Sequence, residues 1–434
     1  MNTATDRDFE SSIRFLDELF GRNPPRNVAV CMWDGTLWPD ENKRAATLVL
    51  KHSAALHAMF SSGTEMGLAE AYLNDDFDVL GDVEAAFELT DTLSEGLRWK
   101  QSISLALLLR NLPFRPKNRG FFEALGRKHS EARDRKAIAF HYDVSNDFYR
   151  LWLDREMVYS CAYFRNEVHD LDAAQQAKLD YLCRKLRLRP GQHLLDIGCG
   201  WGGLACYAAK HFKVSVTGVT LSKNQAELAN QRIAAQGLSD RVKIELRDYR
   251  DLEHDARFDA IVSVGMSEHV GVEKLPDYFA TAHELLKPGG VFLNHAIGEG
   301  YRFKPSQGPS FIDEYVFPDS DIPPIRTIVN VAELAGFEVR DVENLREHYA
   351  KTLRYWVHRL EKNHDRALEF VKEPTYRVWR LYMAGSAYGF AHGRLAIYQV
   401  LLAKPDASGD ANLPLTREDW YRDAQGAAEI AKER

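Results

Sequence analysis

The stretch HLLDIGCGWGG, residues 193–203, is an apolar run that meets an acid and then breaks into glycines. Such a run reads as a buried strand. Gly198, Gly200 and Gly203 read as the tight turn into a helix whose first N–H groups face a nucleotide-type ligand. GxGxxG spacing alone is a weak signal, because a bare strand-to-helix turn needs small residues too. A dinucleotide site also carries an acid about 20 residues further on, at the end of the second strand. Here that strand runs out as VTGVTLSKNQ, residues 216–225, with no acid. The acid lies inside the glycine motif instead, as Asp196, and Thr220, Ser222 and Gln225 offer neutral hydrogen-bonding groups at the ribose position. Asp248 closes the third strand in ELRDYRD, residues 245–251. There its carboxylate can accept from an adenine amino group and Tyr249 can flank the ring. This pattern points away from NAD and toward S-adenosylmethionine.

Outward from the loop, strand patterns recur at 193–198, 214–221, 241–248, 258–265 and 290–298, with helical patterns between most of them. That alternation predicts an α/β unit with parallel pairing. Two further β-like runs, 337–345 and 396–404, flank a helical stretch over 349–390 and complete a Rossmann-like, seven-stranded methyltransferase sheet. Ahead of it, a strand at 27–33, a helix over 45–60 and more helix over 82–110 predict a smaller N-terminal α+β domain. The expected division is 1–111 for that domain, 112–136 for a linker and 137–434 for the catalytic domain. The linker holds eight Lys or Arg against three acids. Beside the apolar segment SISLALLLRNLPF, it can be a plain solvated connector or a surface drawn to anionic lipid headgroups. One motif is a decoy. CMWDGTLW, residues 31–38, resembles the DxDGT box of aspartate-nucleophile phosphatases, but Met32 stands where the attacking Asp belongs.

Composition narrows the function further. The 434 residues carry 56 Lys and Arg against 63 acids, a formal charge of −7, without the basic field that nucleic-acid binding needs. No nucleic-acid partner is expected. Five cysteines without CxxC pairs read as reduced thiols, in keeping with a cytoplasmic location, and no metal site is expected. The polar start MNTATDRDFESSIRF does not read as a signal peptide, and no run approaches the ~18 apolar residues that span a bilayer. Membrane contact is therefore expected to be peripheral.

Five longer motifs occur in one order: HYDVSNDFYRLWLDREMVYSCAYF (141–164), LLDIGCGWGG (194–203), GVTLSKNQ (218–225), SVGMSEHVG (263–271) and FIDEYVFPDSDIPP (311–324). Together they resemble the cyclopropane-fatty-acyl-phospholipid synthase family, over about 137–404. The N-terminal domain resembles the extra domain of its full-length bacterial members. The resemblance implies transfer of the S-adenosylmethionine methyl to the cis double bond of an unsaturated acyl chain in a membrane phospholipid, with closure of a cyclopropane ring. It also implies a homodimer. Carried over by position, Tyr159, Ser160, the loop from Asp196 through Gly198 and Gly200 to Gly202, Thr220, Ser222, Gln225, Asp248 and Tyr249 would hold the cofactor.

The resemblance further implies a bound bicarbonate, caged here by Cys161, Glu268, His295, Ile297 and Tyr349. That chemistry is coherent. Methylating an alkene makes a carbocation, and the proton then lost needs a base held beside carbon in a dry site. Tyr163, Phe164, Tyr315, Phe317 and Trp356 are candidates to face the cation, worth about 2 kcal/mol when desolvated. Two positions depart from the family pattern: Ser386 stands where many members have Cys, and Ser267 where Phe is common. Ser267, beside Glu268, leaves open a methylene- or methyl-branched product from the same cation. A lipid-binding pseudoenzyme would have a damaged loop or cage, whereas every one of these residues is present. A small-molecule N-methyltransferase would have no need of the basic linker.

Overall fold

The computed structural model describes residues 3–21, 25–89, 99–114, 145–165, 170–305, 310–317 and 320–421. Nearly all of the basic linker, from residue 115 on, lies outside them. The described residues within 1–124, 305–318 and 371–388 form one compact unit, and those within 125–304, 319–370 and 389–434 form another. A simple cut near 111–137 thus gives way to a parting in which two later segments join the first unit. The reason for the second of these lies in two arginines. Arg377 is buried, donates to the Tyr72 carbonyl at 2.9 Å and pairs with Asp75 at 2.8 Å. Arg380 donates to the Tyr72 hydroxyl and the Val79 carbonyl.

The second unit holds a seven-stranded sheet of β5 (His193–Ile197), β6 (Ser215–Thr220), β7 (Val242–Leu246), β8 (Phe258–Val264), β9 (Leu286–Glu299), β10 (Glu338–Asn344) and β11 (Leu395–Ala403), in the order β10-β11-β9-β8-β5-β6-β7. Pairing from β9 through β8, β5 and β6 to β7 is parallel. Successive β5 residues serve opposite faces: Leu194 joins one buried cluster, Leu195 and Ile197 the other. A strand covered on both faces reads as an uninterrupted apolar run, which is why it was legible in the sequence. β11 departs from parallel pairing, running antiparallel to both β9 and β10. Gly393, at φ +73°, turns the chain from the helix Glu373–Ala391 into β11 beside Glu299, so the strand travels back along β9. The helical stretch over 349–390 resolves into Arg346–Lys362, His364–Ala367 and Glu373–Ala391.

In the first unit, four strands pair in the order β2 (Leu37–Trp38), β1 (Val28–Cys31), β3 (Ala46–Leu50), β4 (Phe77–Gly81). The helix expected over 45–60 is in its first part β3, whose burial alternates between β1 and β4, and only Ala55–Phe60 is helical. The polar start forms a helix, Thr3–Phe20, that burial of Phe15, Leu16 and Leu19 supports. The DGT decoy is a turn between β1 and β2, in which Asp34 accepts from the Thr36 N–H at 2.9 Å.

Candidate active site

The carboxyl ends of the central strands open into a pocket lined by Tyr159, Ser160, Asp196, Gly198, Gly200, Thr220, Gln225, Asp248 and Tyr249. Two glycines do different work there. A Cβ on Gly198 would stand 2.9 Å from Met266 Cγ, so the protein itself requires that glycine. A Cβ on Gly200 would meet no described atom within 4 Å, so beyond its left-handed φ of +53° Gly200 leaves open space on the pocket wall. Asp196 is buried, its Oδ2 has no partner among the described residues, and burial pushes its carboxyl up to about 7 against the pull of Lys178. Thr220 donates its hydroxyl to Gln225 Oε1 at 2.8 Å, while Asp248 is held by the Arg250 guanidinium at 2.7 Å. An open acceptor at Asp196 and a cradle beside Gly200 suit a ligand with an amino group at its charged end.

Under the pocket lies Lys178, from the helix Leu171–Lys185, only 1% exposed. Its Nζ donates to Ser160 Oγ at 2.8 Å, and one turn earlier Gln175 Nε2 donates to the Ser160 carbonyl at 2.8 Å. Burial brings the Lys178 ammonium down to about 8, opposed by Asp154, Cys161 and Asp196. A buried lysine keeps its charge only beside partners of this kind.

A second group of polar residues follows β8. Glu268 sits in the short turn Ser267–His269, and its Oε1 accepts from the Ile297 N–H at 2.8 Å. Its Oε2 is buried without a partner among the described residues, and burial raises the carboxyl to about 7. His295, on β9, is fully buried. Its Nε2 likewise has no described partner, and burial holds the ring neutral, its pKa far below the usual range. Cys161 keeps its thiol 3.3 Å from the Ala162 carbonyl and 3.8 Å from the Leu345 carbonyl, and burial pushes its pKa up, so it stays protonated. The Tyr349 N–H donates to that same Leu345 carbonyl at 3.1 Å, and Leu345 N–H reaches Ile397, which pairs across the sheet with Ile297. Cys161 thus reaches the Leu345 carbonyl at the start of the helix that carries Tyr349, Glu268 reaches the Ile297 N–H, and Leu345 bonds to Ile397, the β11 residue opposite Ile297.

Four likenesses bear on this geometry. The family model for mycolic acid cyclopropane synthetase matches residues 129–400. The chain belongs to that family. A probable fatty acid methyltransferase of Pseudomonas putida is 43% identical over 90% of this chain and 95% of its own. The cyclopropane-fatty-acyl-phospholipid synthase of Escherichia coli K12 is 40% identical over 62% of this chain and 68% of its own. The solved mycolic acid cyclopropane synthase CmaA1, complexed with SAH and CTAB, is 35% identical over 62% of this chain and 97% of that one, with a TM-score of 0.58. As a member of the mycolic acid cyclopropane synthetase family, the chain is a methyltransferase and its cofactor is S-adenosylmethionine.

Within this family member, the structure places the sequence-derived candidates in different roles. Gly202 and Ser222 stand behind the pocket wall as helix caps: Gly202 at φ +76° precedes the helix Gly203–Phe212, and Ser222 Oγ accepts from Gln225 N–H. Of the five aromatic candidates, Trp356 packs between Tyr159 and Tyr349, at ring-centroid distances of 5.2 and 6.0 Å. Tyr163 is stacked between Tyr181 and His348, and Phe164 lies against Tyr355. Tyr315 and Phe317 fall in the first unit, beside Phe311 and Tyr382, as does Ser386. Ser267 is buried at the start of the Glu268 turn. Lys178, Trp201, Met266 and His269 also line the pocket and were not singled out from sequence. A lysine in AQQAKLD looks like one more solvated helix residue, and only burial separates it from its neighbours.

Proposed function

We propose that this methyltransferase transfers the S-adenosylmethionine methyl to the cis double bond of an unsaturated acyl chain in membrane phospholipid and forms a cyclopropane ring. The observation that carries the reading is the pair of buried atoms without a partner among the described residues, Glu268 Oε2 and His295 Nε2, Glu268 being held by the N–H of Ile297, two residues along β9 from His295. A buried polar atom without a partner costs about 1–3 kcal/mol, so two together argue for a small polar guest. The donor set fits bicarbonate: His295 Nε2–H can donate to an oxyanion, and protonated or ionised Glu268 can donate or accept. Bound bicarbonate would supply a base beside carbon. The chain's own share is to keep the site dry, to hold Glu268 through the Ile297 N–H, and to keep the Cys161 thiol protonated so that it does not compete as a nucleophile. Tyr159 and Trp356 offer π faces near the methyl donor.

A second product is favoured by one observation. The Pseudomonas putida relative, matched over nine-tenths of this chain, is named a fatty acid methyltransferase. A 1,2-hydride shift moves the charge of the same cation onto the methyl-bearing carbon, and loss of a methyl proton then gives a methylene-branched chain. The test is incubation of the enzyme with S-adenosylmethionine and vesicles of unsaturated phospholipid. Lipid mass spectrometry should show acyl chains heavier by one CH2. Ring and methylene products are isomers, so proton NMR of the product separates them through the upfield ring protons. Acyl chains of unchanged mass would overturn the reading.

Docking at a lipid surface belongs to the same proposal. No helix among the described residues is long and apolar enough to cross a membrane. The helix Trp99–Leu109 leaves Ile103 and Leu107 exposed, one turn apart, and Phe114 follows at 69% exposure. Replacing Arg115, Lys117, Arg119, Arg127 and Lys128 by Gln should weaken pelleting with anionic vesicles, as should salt, which shortens the screening length from ~10 Å at 0.1 M to ~3 Å at 1 M. Pelleting indifferent to both would remove the docking role and leave methyl transfer standing.

A further inference from the structure

His295 has a neighbour that the reaction as proposed does not use. Across the antiparallel pairing of β9 and β11, Gln399 lies directly opposite it, and both side chains are fully buried. Gln399 Nε2 is 3.4 Å from His295 Nδ1. On the same face of the two strands, the pairs Leu293–Leu401 and Ile297–Ile397 flank them, so the amide and the imidazole form a polar pair between apolar ones. Gln399 Oε1 finds no partner among the described residues. An apolar side chain would fill this place without leaving a buried acceptor unmet. What glutamine adds is a donor, aimed at one ring nitrogen.

We propose that Gln399 is a positioning residue: its amide N–H holds His295 in the tautomer whose proton sits on Nε2, the nitrogen with no partner among the described residues. An amide nitrogen only donates, so the nitrogen it meets must accept, and in a neutral imidazole the other nitrogen then carries the hydrogen. Burial keeps His295 neutral, which makes the choice of tautomer matter. With Nε2–H the ring offers a hydrogen bond to an anion; with Nδ1–H it would offer a lone pair and repel one. The inference rests on the reading of Glu268 and His295 as an anion cage, and it gives that cage its donor.

The test uses the full chain labelled with 15N-histidine, the His295 signal being assigned by its absence in His295→Asn. The wild-type ring should show the neutral Nε2–H pattern. Gln399→Met, close in volume and without the amide, should lose that pattern or mix it. Its turnover should fall by about ten- to a hundredfold, the usual cost of removing a group that orients a working histidine, with KM for S-adenosylmethionine unchanged. Gln399→Glu, whose carboxylate accepts, should move the proton to Nδ1 and lower turnover further. Circular dichroism and cofactor affinity separate either effect from misfolding. A wild-type ring protonated on Nδ1, or Gln399→Met with an unaltered His295 signal, would overturn the inference. An altered tautomer with undiminished turnover would leave Gln399's hold on the ring standing and overturn the cage.

Discussion

The cofactor pocket, at the ends of β5, β6 and β8, and the proposed cage, around β9, close their polar groups differently. In the pocket, Thr220 satisfies Gln225, Ser222 caps a helix, Arg250 holds Asp248 and Lys178 holds Ser160, so most donors and acceptors are spoken for. In the cage, Glu268 and His295 each reach the protein with one atom and leave the other unmet. The pocket is a preformed surface that a large ligand lies against, and its specificity comes from shape. In the reading proposed above, the cage takes a small polar guest and its chemistry depends on that guest. Substitutions should therefore split cleanly: damage to the pocket falls on affinity, damage to the cage on rate.

The largest effect belongs to the cage. Glu268→Gln and His295→Ala should each lower turnover by about 10²- to 10⁴-fold, the usual range for groups that serve proton transfer. Calorimetric affinity for S-adenosylmethionine should stay within a few-fold, because neither residue lines the pocket. Equal losses of affinity and rate would erase the distinction drawn here.

Next comes Gly200→Val. Its Cβ meets no described atom within 4 Å, so the new side chain has room to project into the pocket, and the φ of +53° adds backbone strain of roughly 1–2 kcal/mol for a branched residue. Calorimetry should find cofactor binding abolished. Gly198→Val should instead destabilise the fold, since its Cβ collides with Met266. A melting temperature lowered more at Gly198 than at Gly200, with cofactor binding lost at Gly200, would sharpen the contrast between a glycine set by packing against Met266 and one facing the pocket.

The same contrast explains what could be read from sequence. The pocket was legible because its parts are local: a strand, a glycine turn and caps within a few residues. β5 through β8 fall where their apolar runs predicted. The proposed cage was reached only through the family motifs, since Cys161, Glu268, His295 and Tyr349 come from four separate stretches, and the contacts of Cys161 and Glu268 run to Leu345 and Ile297. The antiparallel course of β11, which brings Gln399 against His295, has no local signal; it follows from where Gly393 turns the chain. In the first unit, β3 was misread as helix because ATLVL carries apolar residues at both periods, and pairing with β1 and β4 decided between them. Lys178 was invisible for the opposite reason: its sequence context is polar, and its burial is a product of tertiary packing.

That lysine supplies the finest test, because it couples to Asp196, whose Oδ2 has no partner among the described residues. Burial raises Asp196 to about 7, and Lys178 is the group that pulls it back down. A carboxylate binds a cofactor amino group when ionised, so affinity for S-adenosylmethionine should climb as pH rises through about 7. It should flatten or fall near 8, where an α-amino group loses its own proton at about 7.7–8.0. The linkage to stability has the opposite sense. A carboxyl raised in the folded chain favours folding below its ordinary value of 3.8, and that contribution is lost as pH rises through about 7, so the cofactor-free protein should lose stability across this window. Asp196→Asn should remove the rising limb of the affinity profile. Lys178→Met should keep the limb but move it to higher pH, because the nearby positive charge is gone, and the loss of affinity at neutral pH should be only several-fold while turnover at saturating cofactor holds. Isothermal titration across pH reads both. A limb that stays put in Lys178→Met would mean that the lysine serves only to hold Ser160, and Ser160→Ala would then reproduce its whole effect. A limb that shifts ties the charge beneath the pocket to the acceptor above it.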